Sequence, residues 1–353
     1  MVTNERSKMT TTHEGSPVPR RGLARVREIF GGGSRWLLGF LPSVVVVVLV
    51  ATVVTSVAIV ERAKADPPGS SGSIVFTSDR KSTGGFNIYR MDADGHGPMR
   101  QLAEAPGERV MPAFSPDGSS IAFVRSGLTG IPNIYRMDAD GSNESPLTTD
   151  LMFNTDPAWF PSSRKIVFSR GEDIYTLALD ASGEPTGKPT RLTRNLAADR
   201  QPVVSPDGKK IAFASDRDGD FDIYMMKAAP EGRRNRPINL TDNTAPDFAP
   251  DWSPDGRKIA FSGGAAGARE VYILEAVARG AAQPINLTNL AADDSDPAWS
   301  PDGGMIAFTS NRSGNGEIWR MQADGTDPTN LTNSPNSEDL QPDWQPLPWQ
   351  PLP

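Results

Sequence analysis

Ser300-Pro301-Asp302-Gly303, followed three residues on by Ile306-Ala307-Phe308, is one copy of a phrase that also starts at Ser115, Ser205 and Ser253, with a worn copy at Phe160-Pro161-Ser162-Ser163. In chain order the starts lie 45, 45, 48 and 47 residues apart, a period that marks solenoids and propellers. The phrase is hairpin chemistry. Proline presets φ for the first corner, aspartate hydrogen-bonds its own backbone, and glycine supplies positive φ.

Around each copy stand four short apolar segments. Six second strands read Ile74-Val75-Phe76, Ile121-Ala122-Phe123, Ile166-Val167-Phe168, Ile211-Ala212-Phe213, Ile259-Ala260-Phe261 and Ile306-Ala307-Phe308. Six third strands follow at Ile88-Tyr89, Ile134-Tyr135, Ile174-Tyr175, Ile223-Tyr224, Val271-Tyr272 and Ile318-Trp319. β-branched and aromatic side chains suit sheets buried between other sheets. No first strand precedes Ile74, while a surplus one stands at the end, Gln341-Pro342-Asp343-Trp344. A ring whose termini share one sheet leaves no open edge. The expectation is therefore an all-β, six-bladed propeller over residues 73–346, closed by a C-terminal strand that completes blade one. An open solenoid would carry capping units instead.

The 353 residues contain no cysteine, which excludes disulfides, thiolate metal sites, a cysteine nucleophile and a lipobox anchor. Trp36 to Val60 carries no charge and is long enough to span a bilayer as a helix. Before it, seven basic residues face three acidic ones, a net of +4, so the positive-inside rule places the N-terminus in the cytoplasm. The expected organisation is a basic cytoplasmic segment at 1–35, a transmembrane signal anchor at 36–61, a linker at 62–72, the extracytoplasmic propeller and a proline-rich tail at 347–353. The rival is a signal peptide cleaved after Ala65. Of the formal charge of −7, the N-terminal segment contributes +4, leaving −11 beyond it. That balance argues against nucleic acid and for basic peptides, basic protein surfaces or cations.

Catalytic chemistry finds little support. The only histidines are His13 and His96, the latter in the turn Asp94-Gly95-His96-Gly97, and no Gly-x-Ser-x-Gly elbow occurs. Asp216-Arg217-Asp218-Gly219-Asp220-Phe221-Asp222 resembles part of a calcium loop but lacks the downstream glutamate in register, so it reads as a hairpin loop. No cofactor and no metal are expected. The more informative set stands three residues before each first-strand proline: Arg109, Asn154, Asp199, Asp247, Asp294 and Asp339. Loops at that position surround one mouth of a propeller channel. Asp156 and Asp296, one residue before the proline, add charge, and the expectation is an acidic crescent that binds a basic partner. The plainer reading is that each aspartate caps its own turn.

Pro-x-Trp-Ser-Pro-Asp-Gly, Ile-Ala-Phe-x-Ser-Asp-Arg, Ile-Tyr-x-Met and Asn-Leu-Thr together resemble the TolB-like propellers of WD40-like PD40 repeats, with Trp252-Ser253-Pro254-Asp255-Gly256 and Ala214-Ser215-Asp216-Arg217 as close matches. The resemblance spans about residues 72–346, without the N-terminal α/β domain of TolB itself. It implies a six-bladed propeller that recognises proteins, and the expectation is a monomeric, non-catalytic module that binds proteins or peptides of the cell envelope. The alternative is an enzyme that uses channel carboxylates or a metal on a glycan.

Overall fold

The computed structural model describes residues 72–80, 85–103, 107–127, 130–229, 236–277 and 283–346. The expected cytoplasmic segment, the 36–61 anchor and the 347–353 tail lie outside the described residues. Within them the chain forms six four-stranded antiparallel sheets.

Blade one is built from both ends of the ring. Its strand Ser73–Ser78 pairs on one side with Asn87–Asp92 and on the other with Asp339–Trp344, in the register Ile74↔Trp344, Val75↔Asp343 and Ser78↔Asp339. The surplus C-terminal strand thus closes the ring, as the sequence indicates. Blades two to six follow as consecutive meanders that begin at Glu108–Phe114, Asn154–Trp159, Asp199–Val204, Asp247–Trp252 and Asp294–Trp299. Each first strand packs against the first strands of both neighbouring blades, so these strands line the axis.

The core lies between blades. The second-strand phenylalanines Phe76, Phe123, Phe168, Phe213, Phe261 and Phe308 are all 0–1% exposed, because each sheet is covered on both faces. Burying one such ring contributes about 1.5–3 kcal/mol. Trp159, Trp252 and Trp344, each ending a first strand, donate Nε1–H to the carbonyls of Ala113, Val203 and Ala298 in the preceding blade, at 3.0, 3.3 and 3.0 Å. The Ser-Pro-Asp-Gly phrase also explains itself. Ser205 Oγ donates to Asp207 Oδ1 at 2.6 Å and accepts the Lys210 N–H at 2.9 Å, which locks the hairpin. Gly208 has φ of 71° and seats against Pro161 of the preceding blade's turn.

Every first strand carries a β-bulge at the residue before its proline. Met111, Asp156, Gln201, Ala249, Asp296 and Gln341 all have φ between 49° and 57°, a conformation that costs a non-glycine residue about 1–2 kcal/mol. The bulge turns the backbone N–H toward the preceding blade. Gln201, Asp296 and Gln341 donate to Ser169 Oγ, Ser262 Oγ and Thr309 Oγ1 at 3.1, 3.0 and 3.0 Å. Ala249→Gly is therefore expected to stabilise the fold by about 0.5–1 kcal/mol, because relief at φ of 49° outweighs the greater chain entropy of unfolded glycine. Equilibrium urea unfolding checks this.

Candidate functional site

The residues expected at the channel mouth occupy equivalent places at the start of each first strand, where the backbone is tied to the blade before it. The Asp199 N–H, for example, donates to the Glu172 carbonyl at 2.9 Å and the Asp247 N–H to the Phe221 carbonyl at 2.6 Å. Their side chains are not presented to solvent. Asp199, Asp294, Asp339, Arg109 and Asn154 are 0% exposed and Asp247 is 2% exposed.

The acidic crescent therefore needs correction for three of its members. Arg217 reaches Asp199 at 2.7 Å, Arg312 reaches Asp294 at 2.8 Å and Arg80 reaches Asp339 at 2.5 Å, each from the loop after the second strand of the same blade. A carboxylate this deeply buried needs a charge partner, and the recurring Ser-Asp-Arg or Ser-Asn-Arg triplet supplies it. Arg109 pairs likewise with Glu144 at 3.0 Å. Asn154 donates to Asn133 Oδ1 and Asp150 Oδ1, both at 3.1 Å. These residues weld neighbouring blades. Asp247 differs, since it is Asn243 Nδ2 that donates to its carboxylate, at 2.6 Å. Burial, with Asp222 and Asp220 nearby, pushes its carboxyl up to about 7.

The bulge tier lies on the strands around the axis, and there Asp156 and Asp296 are half-buried. Three blades apart in a ring of six, they stand opposite each other across the axis. Thr155 Oγ1 donates to Asp156 Oδ2 and Ser295 Oγ to Asp296 Oδ2, each at 2.9 Å. The glutamines match too. Gln201 Oε1 accepts the Ala249 N–H at 2.9 Å and Gln341 Oε1 accepts the Met111 N–H at 3.1 Å. The tier thus has an approximate twofold pattern that no single repeat shows. Burial raises both carboxyls, and Asp156 adds to the rise at Asp296, while Arg200 and Arg269 act in the opposite sense.

Two residues further along stands a second tier, in which Ala113, Ala158, Val203 and Ala298 share the ring with two aspartates absent from the sequence-based set, Asp251 and Asp343. Asp251 Oδ2 accepts the Trp299 N–H at 2.7 Å and Asp343 Oδ2 accepts the Phe114 N–H at 2.6 Å, each from the next blade. Burial pushes both carboxyls up to about 7 against these hydrogen bonds, and at Asp343 the charge of Asp251 adds to the rise. Their signal in the sequence is slight: an aspartate before tryptophan where the other copies have alanine or valine. Among the described residues no group of three or more His, Cys, Asp or Glu is placed to hold a metal ion.

The channel therefore offers paired carboxylates on rigid strands, suited to attracting cationic groups. Residues 234–347 match the PD40 family model, described as the TolB beta propeller domain. The chain is 33% identical over 146 residues to a Protein TolB homolog of Chlorobium chlorochromatii (strain CaD3), covering 41% of this chain and 31% of that one. It is 28% identical over 156 residues to the Tol-Pal system protein TolB of Bordetella pertussis (strain Tohama I), covering 44% and 34%. The chain thus spans about a third of the length of these relatives. The crystal structure of TolB from Acinetobacter baumannii superimposes with a TM-score of 0.66 at 26% identity, covering 79% of this chain and 68% of that one. Sequence phrase, sheet order and structural likeness agree that this chain carries a TolB-like six-bladed β-propeller of PD40 repeats.

Proposed function

We propose that the propeller is a non-catalytic, extracytoplasmic binding module, held at the membrane through residues 36–61 as a monomer, whose channel mouth engages a basic segment of a cell-envelope protein. The observation that carries this reading is the opposed pair Asp156 and Asp296 on the bulge tier, half-buried carboxylates each on a strand hydrogen-bonded into its blade. A site built on rigid strands orders little on binding and so loses little affinity to entropy. The relative named as a Tol-Pal system protein supports an envelope partner.

Crosslinking of the full chain in envelope preparations, beside its Asp156→Asn/Asp296→Asn variant, tests the reading. Both positions tolerate the neutral isostere, because Thr155 and Ser295 can still donate to it. Loss of a crosslinked partner in the variant, together with weakening between low and high salt, is the expected result. A partner retained equally by both proteins moves binding off the channel.

A further inference from the structure

Five of the six blades place a guanidinium over the aromatic ring of the third strand. Arg80 lies 5.3 Å from Tyr89, Arg125 5.3 Å from Tyr135, Arg170 5.3 Å from Tyr175, Arg217 4.6 Å from Tyr224 and Arg312 4.7 Å from Trp319. These arginines come from two positions, either two or four residues after the second-strand phenylalanine. In blade five those positions are Gly263 and Ala265. Among the described residues no cation stands over Tyr272 or Phe261, and the two rings close to 5.5 Å and stack, whereas the corresponding pairs in blades one to four stay 6.0–6.2 Å apart and tilted.

The carboxylate side of the cradle is equally distinctive. Where Asp199, Asp294 and Asp339 each hold an arginine, the equivalent Asp247 is 2% exposed and holds an asparagine. Across the junction stands Asp222, itself 2% exposed and bonded to Asn239 and Thr241, neither of them a cation. The covering loop is Gly263-Gly264-Ala265-Ala266-Gly267-Ala268, small throughout and exposed from Ala265 to Ala268. Gly263 admits no side chain as the site stands, because a Cβ there would lie 2.7 Å from Asp247 Oδ1. Ala265, the position from which Arg80, Arg217 and Arg312 reach in, is open to solvent.

We infer that the blade-five cradle formed by Asp247, Phe261 and Tyr272 receives an arginine side chain from a partner protein, the same group its sister cradles take from the chain itself. Planar guanidinium suits both halves of the site, stacking on the aromatic face and bonding the carboxylate through its fork of donors. Lysine satisfies only the charge. The inference takes its occupant from the binding-module reading, but the cradle uses neither Asp156 nor Asp296 and is tested without any partner.

The full chain, labelled with ¹⁵N-glycine and ¹³C-tyrosine, is titrated with blocked arginine (N-acetyl-arginine methylamide), blocked citrulline and agmatine. Blocked arginine is expected to shift the Gly263 and Gly264 amides and the Tyr272 ring saturably, with a Kd of about 1–10 mM as befits one side chain. Citrulline, the same shape without charge, should leave them unmoved. Asp247→Asn should weaken the response by about tenfold or more, and Ala265→Arg, which supplies the missing guanidinium in cis, should abolish it. Equal responses to arginine and citrulline, or an arginine response unchanged in both variants, overturn the assignment. Should Asp247→Asn fail to fold, Ala265→Arg alone carries the test. A response to agmatine without one to blocked arginine makes the occupant a free small molecule and overturns the partner assignment. An envelope crosslink retained equally by the Asp156→Asn/Asp296→Asn variant, with this response intact, would sink the channel reading and leave the cradle.

Discussion

Arg217→Ala will lower the stability of the propeller by about 3–5 kcal/mol, the cost of leaving a buried carboxylate without its cation. Asp199 is 0% exposed and its Oδ1 takes both Arg217, at 2.7 Å, and the Ser215 hydroxyl, at 2.6 Å. Alanine also uncovers the Phe213 and Tyr224 rings, over which the guanidinium lies at 5.2 and 4.6 Å. At about 2–4 °C per kcal/mol for a domain of this size, the melting temperature should drop by about 10 °C. Adding Asp199→Asn removes the stranded charge and should recover about half of the loss, a coupling that a double-mutant cycle measures. A single-mutant cost below about 1 kcal/mol would mean that the pair behaves as an exposed one. Asp247→Asn should not destabilise in this way, since no arginine among the described residues is bonded to it.

The second large effect is a pH dependence. Asp251 and Asp343 have carboxyls pushed up to about 7, against about 3.9 in an unfolded chain. Between those values the folded state holds more protons than the unfolded one, so these two groups favour folding most below about pH 4 and progressively less as pH rises to about 7, with no further change above. Asp251→Asn/Asp343→Asn should therefore be more stable than the parent at pH 8, by about 2 kcal/mol per site, roughly half the linkage value for a dry site because the channel admits water. Asparagine Oδ1 still accepts the Trp299 and Phe114 N–H groups that the carboxylates hold. The gap in melting temperature should be about 8–16 °C at pH 8 and close by about pH 4. Thermal unfolding across that range decides it, and a gap independent of pH would show that the carboxyls titrate in the ordinary range.

Much of the architecture was legible because it is local and repeated. Pro-Asp-Gly turns, the Ile-x-Phe and Ile-Tyr strands and the surplus Pro-Asp-Trp at the C-terminus each carry their conformation in a few adjacent residues, and repetition multiplies a weak signal into a strong one. The closure of blade one by Asp339–Trp344 followed from counting strands. The same spacing located Asp199, Asp294 and Asp339 at a blade junction. It was silent on whether they face water, because the arginines that neutralise them lie 18 residues away in two cases and 259 in the third.

The sequence by itself determined the number of blades, the seam and the turn chemistry, since those depend on backbone preferences of short segments. Only the tertiary structure decided which aspartates are buried ion-pair anchors, which sit half-buried on the bulge tier, and which one has no cation among the described residues. Those differences arise from contacts distant in sequence, where a carboxylate's surroundings depend on what the loop of its own blade or the next sheet places a few ångströms away. Asp251 and Asp247 have similar surroundings in sequence, Pro250 beside one and Pro246 beside the other. In the ring one bonds the backbone of blade six and the other sits against Asp222 of blade four, and that neighbourhood, set by closure of the whole propeller, gives each its chemistry.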